Sequence, residues 1–205
     1  MTGSPERAER RSPVRQALTL VSLALVAALF AALVIRLVES SGGPGLVSAI
    51  RAGKKPAAPQ FNLAVIWPRE ETWPARLQPN VSRGTMSLRD LRGFPTVLNF
   101  WASWCTACGT EASRLAEAAR LDRGKVVFVG LDVNDFGSDA HRFLERHHVD
   151  YVSLRARGSS VYDAYGLIGL PETYYLDRRG RVVAQTVGEL TPQKLAAGIA
   201  RAEGG

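Results

Sequence analysis

Residues 95–108 read Pro95-Thr96-Val97-Leu98-Asn99-Phe100-Trp101-Ala102-Ser103-Trp104-Cys105-Thr106-Ala107-Cys108. The first eight, PTVLNFWA, are nearly continuous in β-branched and aromatic residues, which reads as a buried strand. From Thr106 to about Leu121 alanine and leucine recur at helical spacing with charges between, so a helix follows directly. A cysteine pair therefore stands where a strand hands over to a helix, and these are the only 2 cysteines of the 205-residue chain. A thiol at a helix N-terminus faces unpaired backbone N–H groups and the positive end of the helix dipole. Both favour the thiolate, the nucleophile of disulfide exchange. Cys105, at the helix mouth, is placed to attack a partner disulfide, and Cys108, one turn deeper, to resolve the mixed disulfide.

Downstream, Val126 to Val133 is a second continuous apolar run and reads as a central strand. Ser138 to His148 reads as a polar amphipathic helix opened by a capping residue. A short strand is expected at Tyr151 to Leu154 and a short helix at Ser159 to Tyr165. Thr173 to Leu176 and Val182 to Val187 flank Asp177-Arg178-Arg179-Gly180, a polar connection suited to a hairpin. Thr191 to Ala202 reads as a terminal helix, with Thr191 as cap and Pro192 in its first position. Upstream, Phe61 to Ile66 is a short apolar run, followed to about Thr85 by a polar stretch whose Trp67 and Trp73 are expected to pack on the domain. The order of elements specifies an α/β domain with a mixed central sheet flanked by helices.

Further towards the N-terminus, Ala17 to Ile35 reads ALTLVSLALVAALFAALVI and carries no charge. At about 1.5 Å per residue this run nearly matches a hydrocarbon core of about 30 Å. It is longer than the apolar core of a cleaved signal peptide, and Arg36 and Leu37 follow where small residues would mark a cleavage site. Arg7, Arg10, Arg11 and Arg15 precede it, which places the N-terminus in the cytoplasm and the rest outside. The expected organisation is a cytoplasmic segment at 1–16, one transmembrane helix at 17–38, a flexible tether rich in Gly, Pro, Ala and Ser at 39–59, and the domain at 60–205. The net charge of +7 belongs partly to that topology signal. No aromatic-basic stripe accompanies it, so nucleic acid is not an expected partner.

Other uses of a cysteine pair fit less well. A structural bridge closing so short a loop restrains little of the unfolded chain. Zinc needs two more ligands, and His141, His147 and His148 lie on or near a polar helix where solvation is expected. Covalent haem attachment needs histidine after the second cysteine, where Gly109 stands. A copper or haem carrier would need methionine or histidine clustered near the pair. No metal and no cofactor is expected.

The run Val97 to Cys105 with Cys108 and Glu111, together with Gly169-Leu170-Pro171-Glu172-Thr173 and the stretch His141 to Gly166, resembles the thioredoxin superfamily, in particular its TlpA/ResA/CcmG (DsbE)-like branch of membrane-tethered thiol-disulfide oxidoreductases. The resemblance covers about Pro59 to Glu203 and implies a thioredoxin-like fold. It implies a cis bond at Pro171 opposite the cysteines, with the Leu170 backbone free to pair with an extended substrate. Trp104, Thr106 and Ala107 would share that substrate-facing surface. The residues alone suggest a trans proline that merely opens the following strand.

Asn99 occupies the position where thioredoxin has a buried aspartate that helps move a proton to the second cysteine, which asparagine cannot do near neutral pH. Glu111, on the helical face of Cys108, is the acid the resemblance offers instead. An ordinary acidic residue in the first turns of a helix is the alternative. Many relatives carry proline where Ala107 stands, so the redox poise is open.

The function implied is an extracytoplasmic protein disulfide reductase that takes electrons from a membrane donor and passes them to exported proteins such as apocytochrome c. An oxidase or isomerase using the same residues is the alternative. A peroxiredoxin-type peroxidase would carry threonine three residues before its cysteine. Ala102 precedes Cys105 and Cys105 precedes Cys108 at that distance, so the pattern fails at both.

Overall fold

The computed structural model describes residues 13–40 and 44–205, with side chains placed for 20–34 and 45–205. The chain divides into two units between Ser41 and Gly42. The first holds one helix, α1 (Pro13–Ser40). Its described apolar side chains point outward on every face, from Leu20 and Val21 through Leu29 and Phe30 to Val34. Among the described residues no helix is long and apolar enough to cross a membrane. The span expected at 17–38 reaches past the described side chains at both ends, and Arg7, Arg10 and Arg11 lie outside the described residues.

The second unit is built on seven strands, β1 (Asn62–Trp67), β2 (Thr85–Ser87), β3 (Thr96–Trp101), β4 (Val127–Val133), β5 (Val152–Ala156), β6 (Glu172–Leu176) and β7 (Val182–Val187), in the order β2-β1-β5-β4-β3-β6-β7. β3, β4 and β5 run parallel, while β6, β7, β1 and β2 join antiparallel. The sheet is mixed, as expected. β3 and β4 are buried along their whole length, so both read as unbroken apolar runs rather than alternating ones.

Helices cover both faces. Alternation along β3 sends Leu98 and Phe100 to one side and Val97 and Trp101 to the other. On the Trp101 side lie α4 (Thr106–Leu121), α5 (Gly137–Arg146) and α7 (Pro192–Glu203), through Leu115, Phe143 and Ile199. On the other lie α2 (Pro44–Arg51), the single-turn α3 (Gln78–Val81) and α6 (Ser160–Tyr165), through Leu46, Val81 and Tyr165. Burying two faces of one sheet makes a three-layer domain.

The hairpin at 177–180 and the Thr191 cap are present. Asp177 Oδ1 accepts the N–H groups of Arg179 and Arg181, each at 2.9 Å, and Thr191 Oγ1 accepts Lys194 N–H at 3.3 Å. Trp73 and Trp67 both pack inward, donating Nε1–H to the carbonyls of Phe128 (3.0 Å) and Val149 (2.7 Å).

Three readings need correction. The stretch 44–59 does not behave as a tether. Leu46 and Ile50, one helical turn apart in α2, pack on the core, Ala57 bridges to Arg181, and Ala58 N–H donates to the Gly180 carbonyl at 3.0 Å. Its short apolar face was masked by the Gly, Pro and Lys around it. α5 begins at Gly137, with Phe136 at the cap position and no side-chain cap, so Ser138 is not the capping residue. β2, which begins where the polar stretch ends at about Thr85, has no counterpart in the sequence reading, because at three residues only Met86 of it is buried.

Candidate active site

Backbone geometry places the cysteines. Cys105 is the N-cap of α4, with φ −85° and ψ 101°, and its sulfur accepts the Cys108 N–H at 3.1 Å. The two are joined as a disulfide with Cα atoms 5.2 Å apart. Cys105 is 7% exposed and Cys108 2%, so the first cysteine is the more accessible of the two. The Cys108 N–H also donates to the Cys105 carbonyl at 3.1 Å, and a donor of this kind beside a sulfur at a helix start favours the thiolate.

Thr106 and Ala107 are exposed on the first turn. Trp104 stands 64% exposed beside the disulfide, with Nε1–H donated to the Asn134 carbonyl at 3.2 Å. The Leu170–Pro171 bond is cis. The β3–β6 register pairs Phe100 with Glu172, and one further step sets Pro171 beside Trp101. Leu170 and Pro171 therefore lie at the end of β3 from which the cysteine segment departs. The fold gathers Trp104, Cys105, Thr106, Ala107, Cys108, Leu170 and Pro171 at one edge of the domain.

Glu111 is on the buried face of α4, 2% exposed. Its Oε1 accepts Asn99 Nδ2–H at 2.7 Å, while Oε2 is buried without a hydrogen bond. Burial pushes its carboxyl up from 4.5 to about 7, against the lowering pull of the Asn99 amide, the Leu190 backbone N–H and the Arg114 charge. Asn99 and Glu111, read separately from the sequence, form one buried pair. Asn99 Nδ2 also reaches Thr173 Oγ1 at 3.1 Å.

Other residues here escaped the sequence reading. Glu172, fully buried, accepts the N–H groups of Ile168 (2.8 Å) and Gly169 (3.3 Å) on Oε1 and Gln185 Nε2–H on Oε2 (2.8 Å). It thus holds the segment before Pro171, and its place between Pro171 and Thr173 was the only available signal. Phe136, Ile168 and Val187 are exposed on loops and strand ends next to the same edge, and an isolated apolar loop residue carries no pattern. His147 is not a solvated side chain: it lies 4.5 Å from the Phe143 ring and fills the space above Gly109, where a Cβ would come within 2.9 Å of its ring. Burial lowers its pKa, and the charges of Arg146 and His148 add to the fall. Among the described residues no cluster of three His, Cys, Asp or Glu side chains stands ready for a metal.

Residues 56–185 match the model of the AhpC/TSA family. The chain is 29% identical over 111 residues to the thiol-disulfide oxidoreductase ResA of Bacillus anthracis, covering 54% of this chain and 64% of that one. It is 31% identical over 105 residues to the thiol:disulfide interchange protein DsbE of Pseudomonas fluorescens biotype C, covering 51% and 57%. These matches span less than two thirds of either relative. The fold is similar to the solved structure of a DsbF homologue from Corynebacterium diphtheriae, with a TM-score of 0.57 at 23% identity over 71% of this chain and 85% of that one.

Proposed function

Because the chain belongs to the AhpC/TSA family, we propose that it is a thiol-disulfide oxidoreductase whose working groups are Cys105 and Cys108. The observation that carries this reading is the disulfide at the mouth of α4, with Cys105 Sγ on the first-turn N–H of Cys108. In the reduced protein the Cys105 thiolate attacks one sulfur of a partner disulfide. That bond breaks, a mixed disulfide forms, and the displaced partner sulfur leaves as a thiolate and takes up a proton. Cys108, deprotonated, then attacks Cys105 Sγ, which frees the second partner thiol and re-forms the Cys105–Cys108 bond. Two electrons pass to the partner. Glu111, with its carboxyl near 7, is suited to exchange a proton with Cys108 at neutral pH. Trp104, Thr106, Ala107, Leu170 and Pro171 form the surface against which the partner chain lies.

The finer reading is a reductase of disulfides in exported proteins, apocytochrome c among them, recharged by a membrane electron donor. Its support is the likeness to ResA and DsbE and the uncharged run 17–35, preceded by arginines and carrying outward apolar side chains in α1. On this reading α1 anchors the chain with its N-terminus in the cytoplasm and the domain outside. Equilibration of the purified protein with glutathione buffers decides the direction. A potential near that of thioredoxin, about −270 mV, is expected, and one near about −120 mV would mark an oxidase of the DsbA kind.

A further inference from the structure

Two loops meet beside the disulfide, and one carboxylate joins them. Asp135, between β4 and α5, accepts Ser103 N–H on Oδ2 at 2.5 Å and Ser103 Oγ–H on Oδ1 at 2.7 Å. The same Oδ1 accepts its neighbour's N–H, from Phe136, at 2.8 Å. Next to it, Asn134 takes the Trp104 Nε1–H on its carbonyl. Both residues that precede Cys105 are thus tied to 134–136. Asn134 itself stands at φ 54°, a left-handed conformation that asparagine tolerates better than most residues.

Beneath this loop lies an ion pair shut from solvent. Arg155 Nε, on β5, is 2.5 Å from Asp132 Oδ2 on β4, with the side chains 8% and 0% exposed. Arg155 also donates Nη1–H to the Asp135 carbonyl at 3.1 Å. Taking two charges out of water costs several kcal/mol per ion, so such a pair is weak evidence for stability. Its place under the loop supplies another use.

We propose that Asp135 is a positioning residue for thiol-disulfide exchange: by fastening Ser103 and the Trp104 loop it fixes Cys105 at the N-cap of α4, with the Arg155–Asp132 pair as its buried support. The inference rests on the reading that Cys105 is the attacking thiol. The sulfur of an N-cap residue meets the first-turn N–H groups only while its backbone keeps the cap conformation, and residues 103 and 104 lead directly into that conformation.

The sign of the effect separates positioning from a plain charge effect. A carboxylate near a thiol disfavours the thiolate, so removing the Asp135 charge alone would lower the Cys105 pKa. Releasing the cap takes N–H donors away from the sulfur and raises it toward about 8.5. The other charged or titratable groups around the site are Asp132 and Arg155 below the loop, Glu111 on the face of Cys108, and His147 against Gly109. Of these only Asp132 responds to the substitutions: burial lifts its carboxyl to about 7, Arg155 pulls it down and Asp135 adds to the rise, so loss of the Asp135 charge lets it ionise at lower pH, while Ser103→Ala leaves all of these groups in place.

The test uses the reduced full-length chain in a Cys108→Ser background, so that only Cys105 reacts with iodoacetamide, and follows the alkylation rate against pH. Asp135→Ala is expected to move the inflection up by about one pH unit, equivalent to about a tenfold loss of thiolate at lower pH. Ser103→Ala, which removes one hydroxyl from a half-buried position, should move it in the same direction by less, and Asp135→Asn, which keeps one acceptor oxygen, should restore part of the loss. An inflection that stays put or falls in folded variants overturns the proposal. If Asp135→Ala does not fold, Ser103→Ala decides alone. An unaltered chain that exchanges with no disulfide sinks the oxidoreductase reading instead, and leaves this comparison standing.

Discussion

Glu111 carries a linkage between protonation and stability. Its carboxyl titrates near 7 when folded and near 4.5 in the open chain. A folded value above the unfolded one means that the stabilising contribution is complete below about pH 4.5 and is lost as pH rises through about 7. The rise corresponds to about 3 kcal/mol. Glu111→Gln removes the titration, so denaturant unfolding between pH 4.5 and 8 is expected to show the unaltered chain losing stability relative to the variant by up to about that amount. Parallel pH profiles would exclude a buried, neutral-range Glu111. The cysteines were legible because their chemistry depends on a strand-to-helix junction that sequence alone reveals. The Asn99–Glu111 pair was half legible: each residue stood out, but their contact spans β3 and α4 and needs the packed sheet. Asp135 was illegible, since its partners at 103 are 32 residues away in sequence.

Among the elements, β3, α4, β4 and the β6–β7 hairpin follow from apolar runs, helical spacing and a polar turn ending in Gly180. Such signals are local, and the structure places each within a residue or two of the reading. α2 carries a much weaker local signal. Two apolar side chains one turn apart, Leu46 and Ile50, suffice to dock a short helix when a hydrophobic face awaits it, yet a composition rich in Gly, Pro, Ala and Ser reads as linker. The docked helix has a measurable consequence. Leu46→Ala removes a side chain that is 8% exposed and is expected to cost about 2 kcal/mol, seen as a lower denaturant midpoint at unchanged slope. An unchanged midpoint would restore the tether.

At the scale of the molecule, the sheet order explains why chemistry gathers at one edge. β3 sits between parallel β4 and antiparallel β6, so the start of α4, the 134–136 loop after β4 and the 168–171 segment before β6 all meet at the C-terminal end of β3. A ligand site beside the carboxyl ends of parallel strands is a general property of α/β sheets. Two exposed cysteines on a linker would have none of the N–H donors, aromatic cover or acid that this edge supplies. Everything this edge does in exchange depends on Cys105 as the attacking sulfur. Its most direct test is to incubate the Cys108→Ser chain with a disulfide-bonded protein such as insulin and resolve the products without reductant. A mixed disulfide through Cys105 is predicted, released by dithiothreitol and absent when Cys105→Ser is made instead. No adduct, or one that forms through another residue, would contradict the account.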